Sequence, residues 1–382
     1  MAFTIAGIVS VLIWIYLLLA RGGFWQARKH LPGVLASPQK SCRIAVIVPA
    51  RDEAETIGRS ITSLLHQSGI HTVHIFVVDD ASSDGTAEIA RQAAAQTGKS
   101  SGLTVIEGRP LAPGWTGKLW AVQQGIERAR EFNPEFFLFT DADILHAPDN
   151  IAVLAAIAAS RPCDLASFMV RLQCGTTAEK FLVPAFVFFF FTLYPPAWIQ
   201  NRRHKTAGAA GGSILVRTEA LDQAGGIEAI RSEIIDDCAL ARAVKRNGGR
   251  VWLGLTEGTV SLRSYETFGE AGKMISRNAF NQLNHSAWLL LGTVAGLIAT
   301  YLLPPSLLLA HRALPVALGA TAWLLMAATY LPMVRFYRLN PLWSLILPLT
   351  AIFYMGATFH SAIKFWAGRG GEWKGRAQDR LP

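Results

Sequence analysis

Hydrophobic positions along this chain fall into three regimes. Residues 2–20, AFTIAGIVSVLIWIYLLLA, form one uncharged apolar run followed by Arg21, Arg28 and Lys29. A cleaved leader carries its basic residues before the apolar core and a small-residue cleavage site after it. This run has neither, so it reads as an uncleaved anchor whose far end lies in the cytoplasm by the positive-inside rule. From residue 43 to 170 short apolar runs rich in branched and aromatic residues take over: RIAVIVPA, HIFVVDD, LTVIEG, EFFLFTDAD and DLASFMV. Helix-length segments at 53–66, 85–97, 117–131 and 148–160 separate them. Buried strands alternating with helices predict an α/β fold, a mainly parallel sheet with helices on both faces. Ligands of such sheets sit beyond the carboxyl ends of the strands, where Pro49–Glu53, Asp79–Asp84 and Asp141–Asp143 fall.

GGSILVRTEAL continues this part as a Gly-rich loop, a short strand and a helix start. DCALARAVKRNGG is a helix stopped by Asn247-Gly248-Gly249. The third regime is the apolar runs 287–310, 313–334 and 342–366, each long enough to cross a bilayer. A further run, 181–200, is interrupted by Pro184, Pro195 and Pro196 and followed by Arg202, Arg203, His204 and Lys205. It lies between parts that must reach one site, which favours an interfacial or re-entrant element over a span. The expected organisation is an N-terminal transmembrane anchor (1–22) and a cytoplasmic domain (41–284) with an interfacial insert (181–205). A membrane domain of about three segments (285–366) and a basic tail (367–382) follow. Three crossings would put Lys364, Arg369, Lys374, Arg376 and Arg380 outside, whereas positive-inside counting prefers them inside.

Composition sharpens this division. Of 382 residues 51% are hydrophobic and 16% charged, against about 25% charged in a soluble domain. The net charge of +9 comes without a basic stripe interleaved with aromatics, so an anionic membrane surface suits it and nucleic acid does not. Cys42, Cys163, Cys174 and Cys238 have no metal-site or disulfide spacing.

Three acidic pairs carry the candidate chemistry: Asp79–Asp80, Asp141–Asp143 and Asp236–Asp237. Asp141 and Asp143 follow a buried strand and can face one point. Mg²⁺ or Mn²⁺ takes such oxygen ligands and shares them with substrate phosphates, though a DxD also serves as a plain helix cap. In VVDDASSDGT, Asp84 or Ser83 caps the next helix, and Asp79 and Asp80 remain to accept hydrogen bonds from a base or ribose. Pro49, Arg51 and Glu53 end the first strand, where backbone amides can approach a nucleotide. Lys118 opens a helix in GWTGK, with a spacing that is not a Walker loop, and supplies a point charge. Asp237, beside Asp236 at a helix start, is the general-base candidate, with an N-cap as the bland alternative. Arg277, in KMISRNAF, can neutralise phosphate or face lipid headgroups. His66, His71, His74 and His146 have no nucleophile motif nearby and read as ordinary surface or core residues.

Taken in order, IVPARDEAETI, VVDDASSDGT, GKLWAVQQGI, FTDAD, GGSILVR and IIDDCALA resemble the inverting family 2 glycosyltransferases of GT-A fold over about 43–280. The whole layout, with PGWTGKLWA, the Phe-rich 181–191 insert and three C-terminal apolar runs, is similar to the hopene-associated glycosyltransferases of bacterial hopanoid clusters. The resemblance implies a metal-dependent inner-membrane enzyme facing the cytoplasm. Its donor would be a nucleoside-diphosphate sugar and its acceptor a hydroxyl of a membrane lipid, with a hopanoid link. It implies that Asp79 or Asp80 holds base and ribose, that Asp141 and Asp143 hold metal and diphosphate, and that Asp237 is the base. Asp236 replaces the usual Glu. Processive members carry Gln-x-x-Arg-Trp; here MISRN lacks the Gln and the Trp, which argues against a polymer synthase. Two rivals stay open: transfer to a polyprenyl phosphate, and a non-catalytic membrane scaffold of the same fold.

Overall fold

The computed structural model describes residues 1–33, 40–161, 163–368, 370–373 and 376–379, the last two segments in backbone only beyond residue 370. Arg369, Lys374 and Arg380 of the expected basic tail lie outside the described residues.

The core is one eight-stranded sheet. In chain order its strands are β1 (Arg43–Ala50), β2 (Thr72–Asp79), β3 (Leu103–Glu107), β4 (Phe136–Phe139), β5 (Ile144–Leu145), β6 (Leu165–Arg171), β7 (Ile214–Arg217) and β8 (Val251–Ser261). Their spatial order is β3-β2-β1-β4-β7-β6-β8-β5. β1 lies parallel to both β2 and β4, and β2 is parallel to β3. β7 then runs antiparallel to β4 and β6, and β8 returns parallel to β6. The sheet is therefore parallel in its first half and mixed in its second. Side chains alternate as a doubly covered strand requires. Ile44, Val46 and Val48 pack in one core with Ile61, Leu64 and Leu154, and Ala45 and Ile47 pack in the other with Phe137, Val122 and Ile126.

Helices α1 (Ala2–Leu19), α2 (Ile57–Leu65), α3 (Thr86–Gln96), α4 (Gly117–Ala129) and α5 (Asn150–Ser160) precede the insert. The insert itself is α6 (Thr177–Leu193) and α7 (Pro196–Gln200). It is followed by α8 (Thr218–Gln223), α9 (Asp236–Arg246), α10 (Phe268–Ala279), α11 (Ala287–Leu297), α12 (Leu303–Ser306), α13 (Ala313–Phe336) and α14 (Leu347–Trp366). A terminal hairpin pairs β9 (Gly370–Trp373) with β10 (Arg376–Asp379).

Five described helical stretches are long and apolar enough to cross a membrane: 2–19, 177–200, 287–309, 313–336 and 341–366. Both ends of α6–α7 are tied to the sheet domain. At its start a capping box joins Thr176 and Glu179, and the buried Glu179 carboxylate also accepts from Tyr265 N at 2.7 Å. At its end the Lys245 ammonium of α9 donates to the carbonyls of Ile199 and Thr206 at 2.6 and 2.7 Å. Between these ends Phe188 and Phe189 pack edge-on against Phe24, Tyr330, Tyr301 and Tyr354. The insert is thus the layer that joins the domain core to the apolar helices.

Candidate active site at the carboxyl edge of the sheet

The loops after β1 and β2 are laced together. Ser83 N donates to Asp52 Oδ1 (2.8 Å), Glu53 N to Thr86 Oγ1 (2.8 Å) and Ala54 N to Asp84 Oδ2 (2.9 Å). Asp84 also accepts from Thr86 N at the start of α3. Much of SSDGT therefore serves as bracing, and holds Asp52 in the left-handed region at φ 50°. Arg51 pairs with Asp80 Oδ2 at 3.5 Å, and Asp79 Oδ1 accepts from the Ser82 hydroxyl.

Beyond this edge lies a cavity of about 860 Å³. Pro49, Arg51, Glu53, Lys118, Asp141, Asp143, Asp236, Asp237 and Arg277 line it. Asp79 and Asp80 are not among its wall residues; Asp80 is buried behind Arg51. The structure thus brings nine of the eleven sequence-predicted site residues to one space and leaves two at its back.

Within the cavity the charges interlock. Lys118 Nζ, at the start of α4, bridges Asp141 Oδ1 (2.9 Å) and Asp236 Oδ2 (3.0 Å). These two carboxylates hold its ammonium well above the ordinary lysine range despite burial. Asp237 Oδ2 accepts from Gly211 N at 2.9 Å and Oδ1 from Cys238 N at 2.6 Å. Burial first, and then the neighbouring Asp236 charge, push the Asp237 carboxyl up to about 6. Asp143 is also raised to about 6, by burial and by Asp141, with Arg263 opposing. Gly211 marks the point of convergence. A Cβ built there would stand 3.6 Å from Asp141 Oδ2, 3.6 Å from Lys118 Nζ and 3.7 Å from Asp237 Oδ2.

Sequence reasoning missed Gly211 as a site residue and missed Arg263 altogether. Arg263 follows β8 and donates to Glu53 Oε1 (3.2 Å) while its Nε lies 3.3 Å from Asp143 Oδ2. No motif surrounds it; only the antiparallel pairing of β5 with β8 brings it to the DxD loop. The loop is also fixed from below. Thr140 Oγ1 donates to Gly212 O (2.8 Å) and contacts His146 Nε2 (3.0 Å), and Asn150 joins His146 Nδ1, Ser213 Oγ and Thr259 Oγ1. If Thr140 gives its only proton to Gly212, His146 must donate from Nε2 and accept at Nδ1. Burial pushes His146 down to about 3, so it stays neutral and in that tautomer.

Among the described residues no group of three or more His, Cys, Asp or Glu forms a protein-only metal site. Asp141 and Asp143 put two hard carboxylates on one cavity, each also facing a cation, Lys118 or Arg263, and such donors suit a divalent ion of the kind that completes its shell with phosphates and water. The donor set of Asp141 and Asp143 fits such an ion.

Comparison with known proteins bears on the fold. Residues 45–225 match the model of Glycosyl transferase family 2. The chain is 34% identical over 102 residues to a 4,4'-diaponeurosporenoate glycosyltransferase of Staphylococcus aureus (strain bovine RF122 / ET3-1), covering 26% of this chain. The match spans 24% of that relative's length. The fold is similar to that of the mannosyltransferase PcManGT from Pyrobaculum calidifontis, solved with GDP-Man and Mn²⁺. The two are 19% identical with a TM-score of 0.58, over 94% of this chain and 98% of that one. The sheet, with helices on both faces, is GT-A-like.

Proposed function

We propose that this protein is a membrane-bound inverting glycosyltransferase that moves a sugar from a nucleoside-diphosphate sugar to a lipid hydroxyl. The observation that carries the reading is the convergence of Asp141, Lys118 and Asp237 on Gly211. The Asp237 carboxylate takes the proton of the acceptor hydroxyl. The freed oxygen attacks the anomeric carbon as the bond to the diphosphate oxygen breaks on the opposite side, so configuration inverts without a covalent intermediate. Lys118 meets the charge that develops on the leaving diphosphate. Asp143, with Asp141, would hold Mg²⁺ or Mn²⁺, which when bound neutralises that diphosphate. Pro49, Arg51 and Glu53 face the nucleoside end, with Asp79 and Asp80 supporting them through the laced loops and the Arg51 pair. Asp236 keeps Lys118 in place. The raised Asp237 favours a hydroxyl acceptor over a polyprenyl phosphate, which arrives ionised and needs no base. A hopanoid-related lipid is the acceptor that the motif resemblance implies.

We also propose that the domain faces the cytoplasm at a bacterial inner membrane. The test of the enzymatic reading is turnover by the purified full chain in lipid nanodiscs with UDP- and GDP-sugars, Mn²⁺ and an extracted lipid pool. A glycolipid product of inverted configuration, lost in Asp237→Asn, is expected. Wild-type turnover by that variant would overturn the base assignment.

A further inference from the structure

The carboxylate end of the cavity is internally compensated: Lys118 is paired with Asp141 and Asp236, Arg263 with Glu53 and Asp143, and Arg51 with Asp80. The end formed by α10 and α14 is not. Lys273, Arg277 and Lys364 all line it, and no ion pair joins any of the three to a carboxylate among the residues whose side chains are described; Glu270, on the same wall, is taken up by the N-terminal cap of α10. Lys273 and Arg277 are four residues apart on α10 and so share a face. α10 and α14 run side by side in the same direction. Phe268 meets Phe353 (6.0 Å), and Phe280 meets Phe365 (5.5 Å) and donates its N–H to Ser361 Oγ (3.1 Å). Lys364, one helical turn beyond Ser361, therefore stands level with the last turn of α10. The side-chain oxygen of Asn278, on the same wall, is buried without a partner. Phe186 and Phe190 of α6 and Leu172 supply an apolar wall to the same cavity.

A ligand filling this end needs an apolar body, an oxyanion for three cations, and reach to Asp237. We propose that the acceptor is an anionic amphiphile. Its phosphate or carboxylate rests on Lys273, Arg277 and Lys364, apart from the hydroxyl that Asp237 deprotonates, and its apolar chain lies along Phe186 and Phe190. This rests on the glycosyltransferase reading and adds to it the charge of the acceptor. Charge-assisted contacts of this type are about twice as strong as neutral hydrogen bonds.

The test is calorimetric binding by the full chain in neutral nanodiscs. The probes are dodecyl phosphate, dodecanoate, dodecanol and inorganic phosphate, each below any micelle concentration, with Mn²⁺ plus UDP or GDP titrated separately. Dodecyl phosphate or dodecanoate should bind at least tenfold more tightly than dodecanol and inorganic phosphate. The double variant Lys273→Gln/Lys364→Gln should lose tenfold or more of that affinity and keep its nucleotide affinity, which also reports that it is folded. If it does not fold, Lys364→Gln alone is used, with a threefold loss expected. Three results would each overturn the proposal. These are equal amphiphile binding by wild type and variant, inorganic phosphate binding as tightly as dodecyl phosphate, or a loss falling on the nucleotide, which would make the cluster a donor-diphosphate site. Absence of any nucleotide binding by the wild type, with amphiphile binding intact, would instead sink the glycosyltransferase reading.

Discussion

At the residue scale the decisive group is Asp237. Its carboxylate is held by two backbone N–H groups yet is raised to about 6, because burial and Asp236 outweigh Lys118 and those donors. A base must be ionised, so kcat should fall tenfold per pH unit below about pH 6 and level off above it. The groups facing it are Asp236, Lys118 and Cys238; carboxylate neighbours hold the Lys118 ammonium, and burial holds the Cys238 thiol, above their ordinary ranges, so neither changes charge there. Asp237→Asn should lower kcat by about 10²–10⁴-fold, the usual share of general-base catalysis, and leave nucleotide affinity in place. The sign for stability is opposite. An acid whose folded pKa lies above its unfolded value stabilises the fold at low pH and loses that contribution as pH rises through about 6. Asp237→Asn should therefore melt at the same temperature as wild type or higher at pH 8, measured by thermal scanning in detergent. A variant that melts lower would show Asp237 acting chiefly as a cap for α9. Gly211→Ala is the companion test. The added methyl would sit at ordinary contact distance from all three converging groups, so the fold should survive. Turnover should drop by tenfold or more, about 1.4 kcal/mol in the barrier, because the methyl takes the space of a reacting group.

At the scale of elements, local pattern and long-range pairing contributed differently. The strands β1 to β4 and β6 and the helices between them were legible because each carries its own apolar run and each is closed by turn or cap residues. The acidic pairs were legible because they sit at the ends of those runs. β8 was not: VWLGLTEGTVS mixes glycines and a glutamate with apolar residues, and its partner β6 lies some eighty residues earlier. With β8 went Arg263, whose place at Asp143 depends on a pairing no local pattern announces. The same holds for Glu179. In sequence it is one acid before a Phe-rich run; in the fold its buried carboxylate accepts from Gly175 N (2.8 Å), Thr176 N (3.0 Å) and Tyr265 N (2.7 Å). It fastens the start of α6 to the segment that carries Arg263. Glu179→Ala would leave these donors buried without a partner and should cost about 3 kcal/mol, seen as a lowered melting temperature. Glu179→Gln keeps one acceptor oxygen and should cost less. Equal losses in the two variants would mean that packing, not hydrogen bonding, is what Glu179 provides.

At the scale of the whole molecule the question is where the bilayer lies, and here packing bears on a conflict left by charge counting. α1 ends beside the domain, since Arg21 donates to Thr192 O at 3.0 Å, while its outer half meets α13 through Gly7 and Leu318. α11 leaves the domain at Ala287, and its apolar run reaches Leu309. α13 returns, and Arg171 of β6 lies over the rings of its last residue Phe336 and of the following Tyr337. The run 341–366 then goes only partway along α13, where Trp323 Nε1 donates to Leu345 O at 3.1 Å. From there α14 runs beside α6 and α10, with Thr350 on Phe181 O and Tyr354 on Leu182 O, and its last turn places Lys364 in the cavity wall. This arrangement supports two crossings after the domain and one re-entrant hairpin, rather than three crossings. We propose that Arg21, Arg28, Lys29, Arg335, Arg338 and Lys364 then share one side with the domain, and Arg312 lies opposite; the positive-inside rule makes the first side cytoplasmic. Single cysteines test this in intact spheroplasts of a strain expressing the full chain with its own four cysteines replaced by serine. A membrane-impermeant maleimide should label His311→Cys from outside and should label Leu339→Cys and Ala367→Cys only after the cells are opened. Labelling of Ala367→Cys in intact cells would restore the third crossing. It would also remove Lys364 from the cavity wall and, with it, one of the three cations on which an anionic acceptor would rest.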